Sequence, residues 1–294
     1  MKIVVIGDFH GKLPVGVIKR VRKENPDLIL SPGDFCGNEK LSKMIFKYAY
    51  GKDEDEIPEN IKKEMDWLRI VSLNAGMRVL KEIKKLKKPF FAVHGNWEPS
   101  SRERDIGWKE KSDKTLSLRK FNSNFRENFE LIDFKMKKFP EFVIVGGTSS
   151  SYPGKIDSPV FKKLKRKLGS KEARKEISLR KKHYYKRKKK YEAVFRKAKK
   201  IGRPIIFLTH NCPYNTKLDK IGRGIQKGKH YGSFLEKEMI KKYKPEIVLC
   251  GHMHENFGKD KIGKKTLVIN SGSAREGKFV IIDFKDKIKV RFLK

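Results

Sequence analysis

The chain reads as an α/β protein. Three observations predict this: short unbroken apolar runs of strand length, helical periodicity between them, and closely spaced strands toward the C-terminus. The runs are Ile3–Ile6, Leu28–Leu30, Phe90–Val93, Phe142–Val145, Ile205–Leu208, Ile247–Leu249, Leu267–Ile269 and Val280–Ile282; Ile288–Phe292, interrupted by Lys289 and Arg291, is a further strand. Continuous Val/Ile/Leu runs suit strands covered on both faces. Their alternation with helices indicates α/β layers, and the crowded C-terminal strands predict an antiparallel or mixed portion.

The helices follow from periodicity. Ile61, Met65, Leu68, Ala75, Val79, Ile83 and Leu86 recur at helical spacing, with Pro58 near the start and Pro89 beyond the end. A second helix is predicted over Thr115–Phe129, from Leu118, Phe121, Phe125 and Phe129. Residues 151–200 differ in kind, holding 21 Lys/Arg against 4 Asp/Glu, a net +17. Within them Ile177, Tyr184, Tyr191, Phe195 and Ala198 form a narrow apolar stripe that packs a helix. Lys171–Lys200 as one helix would span ~45 Å. The expected organisation is a single domain over 1–294 that carries a basic helical insertion at 151–203.

Composition bounds the function. The chain has 294 residues and 72 Lys/Arg against 35 Asp/Glu, a net charge of +37. At 37% hydrophobic and 11% aromatic it has apolar material for a core, which excludes disorder throughout. No apolar stretch nears the ~20 residues that cross a bilayer. The opening MKIVVIGDFHG lacks the long apolar region and small-residue cleavage site of a signal peptide, so a cytoplasmic location is expected. Cys36, Cys212 and Cys250 have no metal spacing and read as small buried residues at strand ends.

The chemistry lies where strands end. Ile3–Ile6 runs into GDFHG, with Asp8 and His10; Leu28–Leu30 into SPGDFCG, with Asp34; and Phe90–Val93 into HGNWE, with Asn96. Ile205–Leu208 runs into THNCP, with His210, and Ile247–Leu249 into CGHMHE, with His252 and His254. Ligands of open α/β sheets bind beyond the carboxyl ends of strands. Carboxylate, imidazole and amide oxygen suit first-row divalent metals. Glycines at 7, 33, 95 and 251 are expected to turn the chain sharply before each donor. The two-residue spacing of Asp8/His10 and His252/His254 would put both side chains of an extended segment on one side. Each segment alone is common, but four of the seven histidines occupy such positions. The HxHxDH pattern of another metallohydrolase class is missing, because Glu255 and Asn256 follow His254, and HExxH occurs nowhere.

The ordered set D-x-H, GD, GN, H, GHxH resembles the calcineurin-like metallophosphoesterases, over roughly 1–38, 88–99, 140–150 and 203–284. The resemblance implies a four-layer α/β/β/α sandwich and two divalent metal ions, among Mn, Fe, Zn, Ni and Co. It implies that Asp8, His10 and His254 hold one metal, that Asn96, His210 and His252 hold the other, and that Asp34 bridges them. Such a pair clamps a phosphate and acidifies a bridging water, whose hydroxide attacks phosphorus. Asp34 and Asn96 are thereby catalytic candidates.

Two positions depart from the family pattern. Trp97 stands where most members have a histidine near the leaving group, and indole cannot act as a general acid; His94 is the candidate substitute. Gly37 stands where protein phosphatases have the Asp of GDxxD, which disfavours a protein phosphatase. The loops 146–150 and 270–273 are further candidates for the border of the site.

The expected activity is therefore phosphoester hydrolysis, with a nucleotide or nucleic-acid diester as substrate. Lys181, Lys182, Arg187, Lys188, Lys189 and Lys190, interleaved with His183, Tyr184 and Tyr185, are the candidate RNA or DNA contacts. The alternatives are a non-catalytic nucleic-acid-binding protein with a structural metal site, and a phosphomonoesterase for small metabolites in which the insertion acts as a lid.

Overall fold

The computed structural model describes residues 1–49, 56–98, 122–126, 128–148, 158–222, 224, 226–284 and 288–294. The chain divides into two compact units, Met1–Leu131 with Ser271–Lys294, and Ile132–Asn270.

The first unit is built on a six-stranded mixed sheet in the order β12-β11-β1-β2-β3-β4. Strands β1 (Lys2–Val5), β2 (Leu28–Ser31), β3 (Phe90–Ala92) and β4 (Phe129–Leu131) are parallel neighbours. β11 (Phe279–Asp283) pairs antiparallel with β1 and with β12 (Lys289–Leu293). Apart from Lys2 and Ser31, β1, β2 and β3 are apolar and buried on both alternating sets, as parallel strands require. Helix α1 (Val15–Glu24) buries Val17, Ile18 and Val21. The short α2 (Glu39–Met44) runs into a π-helical turn, Ile45–Ala49. The long α3 (Glu59–Lys84) buries Met65, Leu68, Ala75, Val79 and Ile83, the periodic positions of the sequence. One core joins Val17 and Val21, Val79 and Ile83, and the sheet residues Val4, Ile29 and Phe90. Each such buried side chain contributes ~1.5–3 kcal/mol relative to exposure. Gly76 admits α3 to the loop after β2: a Cβ there would meet Cys36 Sγ at 2.6 Å.

The second unit has its own six-stranded mixed sheet, β5-β6-β7-β8-β10-β9. Here β6 (Val143–Gly146), β7 (Ile205–Leu208), β8 (Ile247–Cys250) and β10 (Thr266–Asn270) are parallel. β5 (Met136–Lys138) and β9 (Gly258–Ile262) close the two edges antiparallel. The crossover from β6 to β7 contains α4 (Ser158–Lys199), broken at Gly169 (φ 79°, ψ 172°). Helix α5 (Phe234–Tyr243) is capped by Ser233 and precedes β8. Tyr191, Phe195 and Ala198 of α4 share a core with Phe207, Met239, Tyr243 and Val248. The C-terminal part of the basic segment thus belongs to the sheet's own cover, because parallel strands need a crossover that packs back on them.

Several expectations are corrected. β4, β5 and β9 are strands that the apolar runs miss, since β5 and β9 are largely polar edge strands. The helix expected over Thr115–Phe129 lies mostly outside the described residues. Its far end is not helical, because Arg126 bridges to Phe129 and Phe129 opens β4. The continuous helix expected over Lys171–Lys200 is present: past the break at Gly169 the segment stays helical through Lys199.

Candidate metal centre

In the first unit, Asp8, Asp34 and Asn96 all lie past the C-terminal ends of the parallel strands β1, β2 and β3, hence at one sheet edge. Asp8 and Asp34 are fully buried, His10 is half-buried and Asn96 is exposed. Carboxylate oxygens of Asp8 and Asp34 come within 4.8 Å of each other, as do ligand atoms of Asp8 and His10. His10 Nε2 is 3.8 Å from Asp34 Oδ2.

The donor segments are not extended. Asp8 (φ 53°), His10 (φ 45°) and Asp34 (φ 56°) are left-handed. The reason is a backbone ladder between the two loops: the N–H groups of Phe9 and His10 both donate to Asp34 O, at 2.8 and 3.0 Å, and that of Asp8 to Gly33 O at 2.9 Å. The alternation argument for Asp8/His10 therefore fails; turn geometry, not strand alternation, aims the pair. The glycines also act differently from expectation. Gly33 does have a positive φ of 100°. Gly7 and Gly95 instead permit close approach: a Cβ on Gly95 would lie 2.0 Å from Asp34 Oδ1, and one on Gly7 2.6 Å from Pro32 Cγ.

Glu98 braces this edge, a functional residue that the donor pattern does not include. Its buried carboxylate accepts the N–H groups of Asp34 (3.0 Å), Cys36 (3.1 Å) and Gly95 (2.5 Å). Burial, and then the Asp34 charge, push its pKa up to about 7. The sequence signal for it is the acid three residues after Gly95. Trp97 uses its backbone rather than its indole: its N–H donates to Asp34 Oδ1 at 2.9 Å, while the ring stands edge-on to His10 at 6.0 Å. His94 is half-buried with Nε2 3.3 Å from Asn122 Oδ1. Ser273 donates from its hydroxyl to Asp8 O at 2.7 Å, which ties the loop after β10 to this edge.

In the second unit, His210 follows β7, and His252 and His254 follow the parallel neighbour β8. His210 is buried and its Nε2 lies 3.1 Å from His252 Nδ1. His252 is left-handed (φ 69°), and the half-buried His254 opens a 3-10 turn, His254–Asn256, so this pair is not extended either. Asn270, at the end of β10, donates to Met253 O at 2.8 Å and holds the segment between the two histidines. On the other candidate loop, Thr148 N–H donates to the Tyr191 hydroxyl at 3.2 Å; Ser149 and Ser150 lie outside the described residues.

The six basic candidates of α4 do not share one face. Lys181, Lys182, Lys189 and Lys190 are exposed, the last with its ammonium 5.2 Å from the centroid of the Phe134 ring. Lys188 is bonded to Glu238 of α5. Arg187 is half-buried, and its charge opposes the rise that burial imposes on the pKa of Glu236. Glu236 in turn accepts from the Tyr191 hydroxyl at 2.9 Å.

Two buried carboxylates within 4.8 Å, with imidazole beside them, form a donor set that fits a divalent cation. A pair of imidazole nitrogens at 3.1 Å in the other unit is a second donor set of the same chemistry.

The comparisons agree with this chemistry. A family model described as calcineurin-like phosphoesterase matches residues 1–256. Among solved structures, a dimetal phosphatase from Danio rerio superposes with TM-score 0.55 at 10% identity, covering 100% of this chain and 96% of that one. The protein TT1561 of Thermus thermophilus gives 0.52 at 13% identity, covering 99% and 97%. These likenesses are of fold. Comparison with curated protein sequences finds no match. With its ordered donor segments and a match over residues 1–256, the chain belongs to the calcineurin-like phosphoesterase family.

Proposed function

We propose that this metal-dependent phosphohydrolase is a phosphodiesterase that acts on nucleotides or nucleic acid, with Asp8, His10, Asp34, Asn96, His210, His252 and His254 as the ligands of two divalent metals. The observation that carries the reading is the complete donor series, each member placed directly after a buried strand. Bound there, two metals supply Lewis acidity and an acidified water for attack on phosphorus. The chain's own residues do the rest. Asp8 and Asp34 present anionic oxygens that need a cation beside them once buried. Trp97 N–H occupies one lone pair of Asp34 Oδ1, which orients the carboxylate, and Glu98 holds the Asp34 backbone from behind. Asn96 is exposed at the same edge, which supports a role toward substrate as well as metal. His94 is the candidate proton donor in the absence of a histidine at 97.

The basic helix supports a nucleic-acid substrate. Lys181, Lys182 and Lys189 face solvent, whereas the apolar stripe of α4 is committed to the core of its unit. Lys188 and Arg187 serve packing first and phosphate second. We take residues 151–203 as a lengthened, positively charged crossover within one 1–294 phosphoesterase domain, and the protein as cytoplasmic and dependent on two divalent ions among Mn, Fe, Zn, Ni and Co. Among the described residues no helix is long and apolar enough to cross a membrane.

The test is hydrolysis of bis(4-nitrophenyl) phosphate with added Mn²⁺, beside the monoester 4-nitrophenyl phosphate. Diester turnover that exceeds monoester turnover, and that collapses in Asp34→Asn, upholds the reading. A reversed ratio favours a monoesterase, and activity that survives Asp34→Asn rejects the metal assignment. For the helix, Lys182→Glu with Lys189→Glu weakens binding of single-stranded RNA and lowers the salt slope by about 1 per lost phosphate contact. An unchanged slope removes the helix from the interface.

A further inference from the structure

The loop between β7 and α5 carries a feature that the metal chemistry does not use. Tyr231 is 48% exposed, and its ring lies nearly parallel to that of His252, tilted by 15° with centroids 6.4 Å apart. A single exposed aromatic side chain is ordinary on a protein surface. This one stands on a rigid base. Its own N–H donates to Asp219 O at 2.9 Å. The next residue, Gly232, donates to Asp219 Oδ2 at 2.9 Å and has no room for a side chain: a Cβ would meet Cys212 O at 2.6 Å. The preceding residue, His230, places Nδ1 2.8 Å from Asp219 Oδ1. Asp219 is completely buried and also accepts the N–H groups of Asn215 and Thr216, at 3.0 and 2.7 Å. The Ser233 N–H donates to Cys212 O at 2.8 Å and the Tyr214 N–H to Ser233 O at 3.0 Å, which ties the loop to the segment that leaves His210. One buried carboxylate thus holds the side chain before, and the backbone after, a single exposed ring.

We propose that Tyr231 is a platform on which the base of a nucleotide substrate stacks while its phosphate is held at His210 and His252. The inference rests on the phosphoesterase reading above and names the group recognised beyond the phosphate. A tyrosine ring has only two side-chain torsions to immobilise, so with its backbone already fixed it loses little entropy on contact. Every base has a π-face, so such a platform accepts several bases and adds affinity without reading sequence.

The experiment compares two probes that share a phosphoribosyl group and differ by the base, adenosine 5′-monophosphate and ribose 5-phosphate. Binding is measured by titration calorimetry with Mn²⁺ present, on the unaltered protein, Tyr231→Ala and Tyr231→Phe. The unaltered protein and Tyr231→Phe are expected to prefer the nucleotide by about 5- to 150-fold, the range that base–aromatic stacking supplies. Tyr231→Ala is expected to bind the two probes alike. Equal affinity in the unaltered protein, a preference that survives Tyr231→Ala, or one lost in Tyr231→Phe overturns the proposal. Failure of the phosphoesterase reading itself shows elsewhere, as absence of bis(4-nitrophenyl) phosphate turnover by the unaltered protein, a readout that does not enter the affinity ratio.

Discussion

Each unit has a buried carboxylate that gathers backbone N–H groups, and the two differ in what they hold. In the first unit Glu98 accepts three backbone N–H groups, including that of the donor residue Asp34. In the second, Asp219 accepts N–H groups from Asn215, Thr216 and Gly232 and faces the imidazole of His230, one loop away from His210 and His252. Glu98 has a carboxylate neighbour, and burial together with the Asp34 charge raises its pKa to about 7. Asp219 has a basic partner instead. The lesson is that loops held in left-handed or tightly turned backbone leave N–H groups pointing inward, and a buried carboxylate collects them at a desolvation cost. Where that carboxylate touches the donor itself, stability and function are coupled; where it holds a neighbouring loop, they can be separated.

The largest expected effect tests whether both donor sets serve one reaction. Asp34→Asn and His210→Ala should each lower bis(4-nitrophenyl) phosphate turnover by about 10²–10³-fold. A chelator added to the unaltered protein should do at least as much. If one substitution is harmless, the set it belongs to is structural. Next, Trp97→His should raise diester turnover by about 10²-fold, since it restores an acid beside the first unit's donors. No increase would mean that the leaving group departs unassisted or that His94 already supplies the proton, and His94→Ala separates these. The third test compares the two carboxylates directly. Glu98→Gln and Asp219→Asn each set an amide N–H against a backbone N–H and should cost about 1–3 kcal/mol in urea unfolding, the latter more, because every oxygen of Asp219 has several donors. Turnover should fall about 10–100-fold for Glu98→Gln and less for Asp219→Asn, whose loss should appear in nucleotide affinity. Equal loss of turnover would erase the distinction.

The smallest effect calibrates the first unit away from its donors. Glu24 forms a two-point pair with Arg291, whose hydrogen bond and charge, with Lys2, hold its pKa below the usual 4.5. A carboxylate with a depressed folded pKa contributes stability above its unfolded value and loses it as pH falls through the folded one. Glu24→Gln should therefore cost at most about 1 kcal/mol near neutral pH. The difference should vanish well below pH 4.5, the unshifted value, as read from urea midpoints at both pH values.

Much of this is legible in the residues. The eight unbroken apolar runs and the α3 periodicity stand out because burial on both sheet faces, or on one helix stripe, demands those side chains. The donor residues stand out because a strand end concentrates them in a few letters. β5 and β9 are not legible: edge strands gain their identity from the neighbour they pair with, and their own residues, such as Lys259, Asp260 and Lys261, are polar. Arg187 and Lys188 look like solvated charges; only the packing of α4 beside α5 places Glu236 and Glu238 next to them.

What the amino-acid order determined alone was the class of fold, the family, and which side chains are candidate donors, since these depend on local composition and spacing. The tertiary structure decided how the donors are aimed. Asp8, His10, Asp34 and His252 adopt left-handed backbone that no two-residue spacing predicts. That conformation is stabilised by hydrogen bonds from loops far along the chain, and long-range bonds of that kind leave no periodic trace in sequence.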